Sequence, residues 1–107
     1  LRGIDPAVTR ENLAAITERL QAEDVVVVLA GMEMVQNMGE AYNAEFRAAY
    51  PAVSEQYGTI FIPFMLEGVA ADPTLNQSDF IHPTADGYSV VIETIYDYVT
   101  AALGQVP

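Results

Sequence analysis

Six consecutive apolar residues, Val25 to Ala30, constrain the fold more strongly than any other stretch of this chain. The run is rich in valine and does not alternate with polar residues, which is typical of a parallel strand buried on both faces of a sheet. A second short run, residues 59–62, predicts another buried strand. Because such strands need cover on both faces, the sequence predicts a parallel sheet with helices packed against it.

Three helical patterns flank and separate the two strands. The first begins at Asp5-Pro6, since Asp is a good N-cap and Pro fits the first turn. The second runs from about Glu40 to Tyr57, and Pro51 is expected to kink or divide it. The third runs from about Thr84 to Leu103. The apolar positions at helical spacing are Val8, Leu13, Ile16 and Leu20 in the first helix, Tyr42, Phe46, Ala49, Tyr50 and Val53 in the second, and Tyr88, Val91, Ile92, Ile95, Val99 and Ala102 in the third.

This order of elements predicts a parallel α/β layer structure that is too small to stand alone. Two strands do not offer enough surface to bury the apolar faces of three helices, and a sheet of that size is not independently stable. The chain also begins at Leu1-Arg2 without an initiator Met, as an internal cut in a longer chain would. We therefore expect residues 1–107 to form one part of a single domain whose other strands lie elsewhere.

Composition excludes several classes of function. The net charge is −11, with four cationic side chains in 107 residues, so a nucleic-acid surface and binding to anionic membranes are disfavoured. No apolar run approaches the ~18 residues of a membrane span. Cysteine is absent, which excludes disulfides, thiolate zinc sites and cysteine nucleophiles. The carboxylates are scattered, and none of the loops has a calcium-binding pattern, so no metal site is predicted.

The chemistry of the chain concentrates at its single histidine. His82 lies in a polar loop after the second strand, and Asp79 precedes it by three residues. In a serine hydrolase the imidazole takes a proton from the nucleophile while a carboxylate orients the ring. The serines, Ser54, Ser78 and Ser89, are not in a Gly-x-Ser-x-Gly motif, so the nucleophile is expected outside this chain. The alternative is a structural histidine in a non-catalytic α/β binding or interaction module.

Residues 77–88 resemble the last motif block of the SGNH, or GDSL, hydrolases, which reads Asp-x-x-His-Pro. Residues 31–34, the Pro-Phe-Met-Leu-Glu-Gly-Val-Ala stretch at 63–70 and the opening residues 1–5 resemble the thioesterase I and arylesterase branch of that family. The resemblance therefore covers nearly the whole chain.

The resemblance implies a flavodoxin-like three-layer α/β/α fold and a carboxylic ester hydrolase of the esterase, lipase or thioesterase type. Asp79 would orient His82, and His82 would be the general base and acid. The nucleophilic serine and the oxyanion donors would lie upstream of Leu1, on a missing segment or a companion chain. No cofactor is implied, the substrate would be a small ester or thioester, and the family resemblance weakly favours a bacterial periplasmic or secreted protein.

The expected acyl-binding residues are Met32, Met34, Val35, Phe80 and Ile81. Methionine side chains are unbranched and adaptable, so they can line an apolar pocket, although they can equally fill a core. The chain departs from the branch pattern at two places. Val35-Gln36 replaces Pro-Pro, which puts the rigidity of the loop in doubt, and Phe80 replaces Gly, which narrows or covers the pocket.

Overall fold

A computed structural model describes residues 4–34, 38–79 and 81–107 of the chain. Its elements, in order, are α1 (Pro6–Ala22), β1 (Val28–Ala30), α2 (Glu40–Tyr57), β2 (Ile60–Ile62) and α3 (Ala85–Leu103). The described residues therefore confirm the predicted order of helices and strands. None of the helices they form is long and apolar enough to cross a membrane.

The two strands form a parallel ladder in which Val28 pairs with Ile60, and Ala30 pairs with Ile62. Strand β1 is shorter than the predicted run from Val25, because the ladder extends only as far as the three residues of β2. Each strand has one neighbour within the described part of the sheet. The sheet is therefore as small as the sequence indicated.

Gly31 brings the segments that follow β1 and β2 into direct contact. Its N–H donates to the Ile62 carbonyl at 2.7 Å. A Cβ atom at this position would lie 2.2 Å from the Pro63 carbonyl oxygen, so only glycine permits the approach. Both strands consequently release their loops at the same edge of the sheet, which is where ligands bind in parallel α/β folds.

The helix boundaries follow the capping residues in the sequence. Asp5 accepts from the Ala7 N–H at 2.9 Å at the start of α1, and Gly58 ends α2 in the left-handed conformation. The expectation that Pro51 could divide α2 is wrong, since the helix is continuous through it. Pro51 is exposed, so the carbonyl that loses its intrahelical donor lies on the solvent side.

The core lies between α2, the strands and α3, and its buried apolar residues are Leu29, Ala49, Val53, Ile62, Val69, Val91 and Ala102. The predicted inward face of α2 is confirmed, because its five residues are buried or half-buried. The predicted inward face of α3 is only partly correct. Val91 and Ala102 are buried, but Tyr88, Ile92 and Val99 are 49%, 58% and 43% exposed.

Two helices carry apolar side chains into solvent at helical spacing. On α3 the exposed residues Tyr88, Ile92, Tyr96, Val99 and Leu103 recur every three or four positions and form one face, the α3 stripe. On α1 the exposed residues Val8, Ile16 and Leu20 form a second face, the α1 stripe. A single exposed apolar residue is common on protein surfaces and needs no explanation. A contiguous apolar patch, in contrast, marks an interaction surface.

We predict that the isolated 107-residue chain does not form a stable monomer, because the two stripes and the two-stranded sheet leave too little apolar surface buried. Heating monitored by circular dichroism should show no cooperative transition, and sedimentation should show associated species. A sharp thermal transition at the sedimentation coefficient of a compact monomer would contradict this prediction.

Candidate active site

Residues 77–82 form a loop, named here the His82 loop. Two backbone hydrogen bonds close its neck, the paired segments 75–77 and 82–84. The Gln77 N–H donates to the His82 carbonyl at 2.8 Å. The Thr84 N–H donates to the Leu75 carbonyl at 2.9 Å. This antiparallel pair of bonds fixes the two ends of the loop against each other, immediately before α3 begins.

Asp79 organises the interior of this loop. Its Oδ1 accepts from the backbone N–H groups of Ile81 and His82, each at 3.0 Å. Its Oδ2 lies 2.5 Å from Nδ1 of the His82 ring. The structure thus brings Asp79 and His82 together, as their spacing in the sequence predicts. The His82 side chain remains 66% exposed, so the other ring nitrogen is accessible.

The charge of Asp79 determines how the His82 ring is protonated. The hydrogen bond to the ring, followed by the bonds from the backbone N–H groups of His82 and Ile81, holds the pKa of Asp79 well below its usual range. An ionised carboxylate can only accept, so Nδ1 must carry the proton that it shares with Asp79. In the neutral ring this leaves the lone pair on Nε2, the nitrogen that a general base uses.

The Asn76 side chain connects the neck of the loop to the segment that follows β2 through hydrogen bonds. The residue is 7% exposed, and it lies opposite Pro83 in an isolated antiparallel bridge. Its Nδ2 donates to the carbonyls of Val69 and Asp72, at 2.7 and 2.8 Å. Each hydrogen bond of this kind contributes roughly 0.5–1.5 kcal/mol to stability. The sequence alone shows only that Asn76 lies in a polar turn, so this role is visible only in the structure.

Gly87 holds the other side of the neck. A Cβ at Gly87 would lie 2.2 Å from the Leu75 carbonyl oxygen and 2.9 Å from the Pro83 Cβ. The first turn of α3 therefore packs directly on the neck of the His82 loop. Thr84 caps that turn, and its Oγ1 accepts from the Gly87 N–H at 3.2 Å.

Of the predicted acyl-binding residues, Met32 and Met34 are half-buried in the segment after β1. Between them, Glu33 pairs with Arg47 of α2 at 3.5 Å, with both side chains exposed. Ile81 is 50% exposed and is adjacent to His82 in the loop. The remaining two, Val35 and Phe80, lie outside the described residues.

A cavity of about 240 Å³ lies at the edge of the sheet where the strands begin, opposite the edge from which the Met32–Met34 segment emerges. Its lining residues are Gln21, Asp24, Val25, Val26, Val27, Gly58, Thr59, Ile60, Gln105 and Pro107. Most of these residues precede a strand, Ile60 is the first residue of β2, and Gln105 and Pro107 follow α3, so the C-terminal end of α3 lies at the amino edge of the strands. The beginning of α3, with the His82 loop before it, therefore lies towards the carboxyl edge, where the Met32–Met34 segment also emerges. The cavity is thus separate from the Asp79–His82 pair.

Within residues 4–34, 38–79 and 81–107, no three His, Cys, Asp or Glu side chains are grouped as metal ligands. The chemistry available from the described residues is proton transfer at His82 with an ionised carboxylate behind it. An imidazole held in this way can take up and release a proton, which is what acid/base catalysis requires of a histidine.

The chain is similar to known sequences over most of its length. The model of the GDSL-like Lipase/Acylhydrolase family matches residues 1–90. The chain is 35% identical over 96 residues to Esterase TesA of Pseudomonas aeruginosa, a match that covers 90% of the chain and 48% of that protein. The chain therefore spans about half the length of the curated relative it matches.

Solved structures give the same relationship at the level of the fold. The crystal structure of TesA matches 94% of the chain and 56% of its own length, with 33% identity and a TM-score of 0.86. AlinE4, an SGNH-hydrolase family esterase, matches 95% of the chain and 54% of its own length, with 40% identity and a TM-score of 0.69. The esterase EstA from Pseudoalteromonas sp., at 23% identity and a TM-score of 0.87, supports the fold alone. The predicted flavodoxin-like α/β/α fold class is confirmed.

We predict that removing the His82 ring raises the pKa of Asp79 only part of the way to its ordinary value. In His82→Ala the largest cause of the lowered pKa is lost, but the two backbone N–H donors remain. Carboxyl ¹³C NMR titration of the longer protein that contains this chain, in its folded state, measures the change. Because the pKa is lowered on folding, Asp79 stabilises the fold above the pKa of an unfolded Asp, and this contribution is lost as the pH falls through the folded value.

Asp72 is the matched control, since its pKa is lowered by hydrogen bonds from Thr74 and not by His82. The Asp72 titration should be the same in the wild type and in His82→Ala. An unchanged Asp79 titration in the variant would contradict the account of the pair.

Proposed function

The chain belongs to the GDSL-like lipase/acylhydrolase family, and on this premise we propose that it carries the acid/base half of a serine esterase or thioesterase. Asp79 and His82 are the proposed catalytic residues. The observation that carries the proposal is the 2.5 Å contact between Asp79 Oδ2 and His82 Nδ1 in a solvent-exposed loop. A purely structural histidine in a binding module is disfavoured, because a ring with most of its surface in water contributes little to packing.

The three serines of the chain support a nucleophile supplied by another segment. Ser54 is buried on α2, and its Oγ lies 2.7 Å from Thr59 Oγ1 immediately before β2, away from the His82 loop. The Ser89 Oγ donates to the Ala85 carbonyl within α3. Ser78 is adjacent to Asp79 in the loop, too near in sequence to reach Nε2 in triad geometry. We therefore propose that a companion N-terminal segment of the same enzyme supplies the serine.

The two apolar stripes support the same companion. The chain spans about half the length of TesA, so the rest of such a domain needs a surface to pack against. The α3 stripe has Asp86, Glu93 and Asp97 on its helix and no cationic side chain, because the sequence contains no Lys or Arg after Arg47. A second copy with the same charge is thus a poorer occupant than a companion segment with cationic residues at its rim.

The proposed reaction is acyl transfer to water and requires no cofactor. Nε2 of His82 takes the proton of the serine hydroxyl as its oxygen attacks the ester or thioester carbonyl, and the resulting imidazolium gives that proton to the departing alkoxide or thiolate. A water molecule then attacks the acyl-enzyme, with its proton taken by the same nitrogen and returned to the serine oxygen. Asp79 remains ionised throughout and stabilises the imidazolium.

We propose that the acyl chain contacts Met32, Met34, Val35, Phe80 and Ile81. The half-burial of Met32 and Met34 after β1, and the exposure of Ile81 beside His82, support this assignment. Flexible apolar side chains accommodate chains of different length, so short to medium acyl esters or thioesters are the proposed substrates.

In the complete enzyme, meaning this chain with the segment that supplies the serine, His82→Ala should lower kcat by roughly 10⁴-fold or more with little change in KM. The reason is that proton transfer is lost in the transition state while substrate contacts remain. Asp79→Asn should also be severe, through loss of tautomer control, but should retain more activity than His82→Ala. Steady-state hydrolysis of p-nitrophenyl butyrate measures these effects.

Ser89→Ala is the control for the His82 variant, because it removes a hydroxyl from an exposed position on the adjacent helix. It should have the kcat of the wild type. Turnover near the wild-type value in His82→Ala would overturn the catalytic assignment.

Acyl-chain selectivity should change in Phe80→Gly and Met34→Ala without loss of the catalytic pair. Gaining or losing a methylene contact changes discrimination by only about 1–3 kcal/mol, so the effect should be graded along the chain-length series. The measurement is kcat/KM for p-nitrophenyl esters from acetate to decanoate. If both variants keep the wild-type profile, the acyl pocket lies elsewhere.

A further inference from the structure

The contact between Asp79 and His82 does not determine where the ring points relative to the rest of the molecule. It spans three residues and forms entirely within the His82 loop. The same holds for the two backbone donors to Asp79 Oδ1. A loop that is correctly folded inside can therefore still present Nε2 in the wrong place, and the position must come from the neck.

Asn76 links the neck to the fold through its side chain. It lies opposite Pro83, between the two backbone hydrogen bonds that close the loop. Its amide reaches the carbonyls of Val69 and Asp72, and Val69 is completely buried in the core. The Asn76 amide is thus the buried side-chain link between the core and the neck, beside the backbone contact of Gly87 with Leu75.

We propose that Asn76 is a positioning residue for the reaction, which fixes the distance between His82 Nε2 and the nucleophile without touching substrate. The inference rests on the proposed function. Both acceptors are carbonyl oxygens, so the role requires a double donor, and Nδ2 of an amide supplies two N–H groups. A hydroxyl supplies one donor, and an alanine supplies none.

The test compares Asn76→Ala and Asn76→Ser in the complete enzyme. A misplacement of about 1 Å costs about 10²-fold in rate, so Asn76→Ala should lower kcat by about 10–100-fold while KM stays within about twofold. Asn76→Ser should retain more turnover than Asn76→Ala. In both variants ¹⁵N NMR should still show the His82 ring protonated at Nδ1, since that contact is local to the loop.

Two controls separate positioning from general loosening. Thr74→Ala removes the exposed hydrogen bond from Thr74 Oγ1 to Asp72, in the same turn, without touching the amide link. Asn12→Ala removes an exposed amide on α1. Both should have wild-type kcat. An equal loss of kcat in Thr74→Ala would overturn the assignment, as would wild-type kcat in a folded Asn76→Ala.

The proposal can fail separately from the proposed function. If His82→Ala is inactive while Asn76→Ala turns over normally, only the positioning role is wrong. If neither Asn76 variant folds, the wild type tests the hydrogen bonds on which the proposal rests, because the Asn76 side-chain amide protons should exchange with solvent much more slowly than those of Asn12. Equally fast exchange would overturn the proposal.

Discussion

The candidate site depends on the hydrogen bonds that the Asp79 carboxylate accepts, because this one side chain binds three donors of the same short loop. Two are the backbone N–H groups of Ile81 and His82, and the third is the His82 ring. These bonds bend the chain back on itself and keep the carboxylate ionised. The ionised carboxylate in turn fixes the tautomer of the ring, so loop geometry and proton chemistry have a common origin.

The rest of the described structure places this loop at an edge of the sheet. Gly31 allows the ends of β1 and β2 to touch, and Gly87 allows the first turn of α3 to rest on the neck. Asn76 connects that neck to the segment between β2 and the loop. The two glycines thus allow backbone contacts that a side chain would prevent. The buried amide supplies hydrogen bonds that an apolar side chain could not make.

The sequence predicted most of the local structure, because local structure depends on neighbours along the chain. The bounds of α2, the cap at Asp5, the start of α3 near Thr84, and the contact of Asp79 with His82 all arise from residues a few positions apart. It also indicated the fold class, since a valine run without alternation is typical of a parallel strand.

The sequence could not predict features that depend on packing between distant segments. Tyr88, Ile92 and Val99 were expected to be buried from periodicity, but periodicity identifies an apolar face and does not say whether these 107 residues cover it. The strand from Val25 proved shorter, because its length depends on the partner strand. Asn76 and Gly87 were missed for the same reason: their contacts are set by how the turn after β2 meets α3.

The most direct test is a crystal structure of the complete enzyme after reaction with a fluorophosphonate ester, which forms a covalent adduct with an activated serine. The distance from His82 Nε2 to the Oγ of the modified serine is the decisive quantity. The account predicts a modified serine outside these 107 residues, with Nε2 within about 3.2 Å of its Oγ. A modified residue that lies far from His82, or one approached by a different base, would contradict the account.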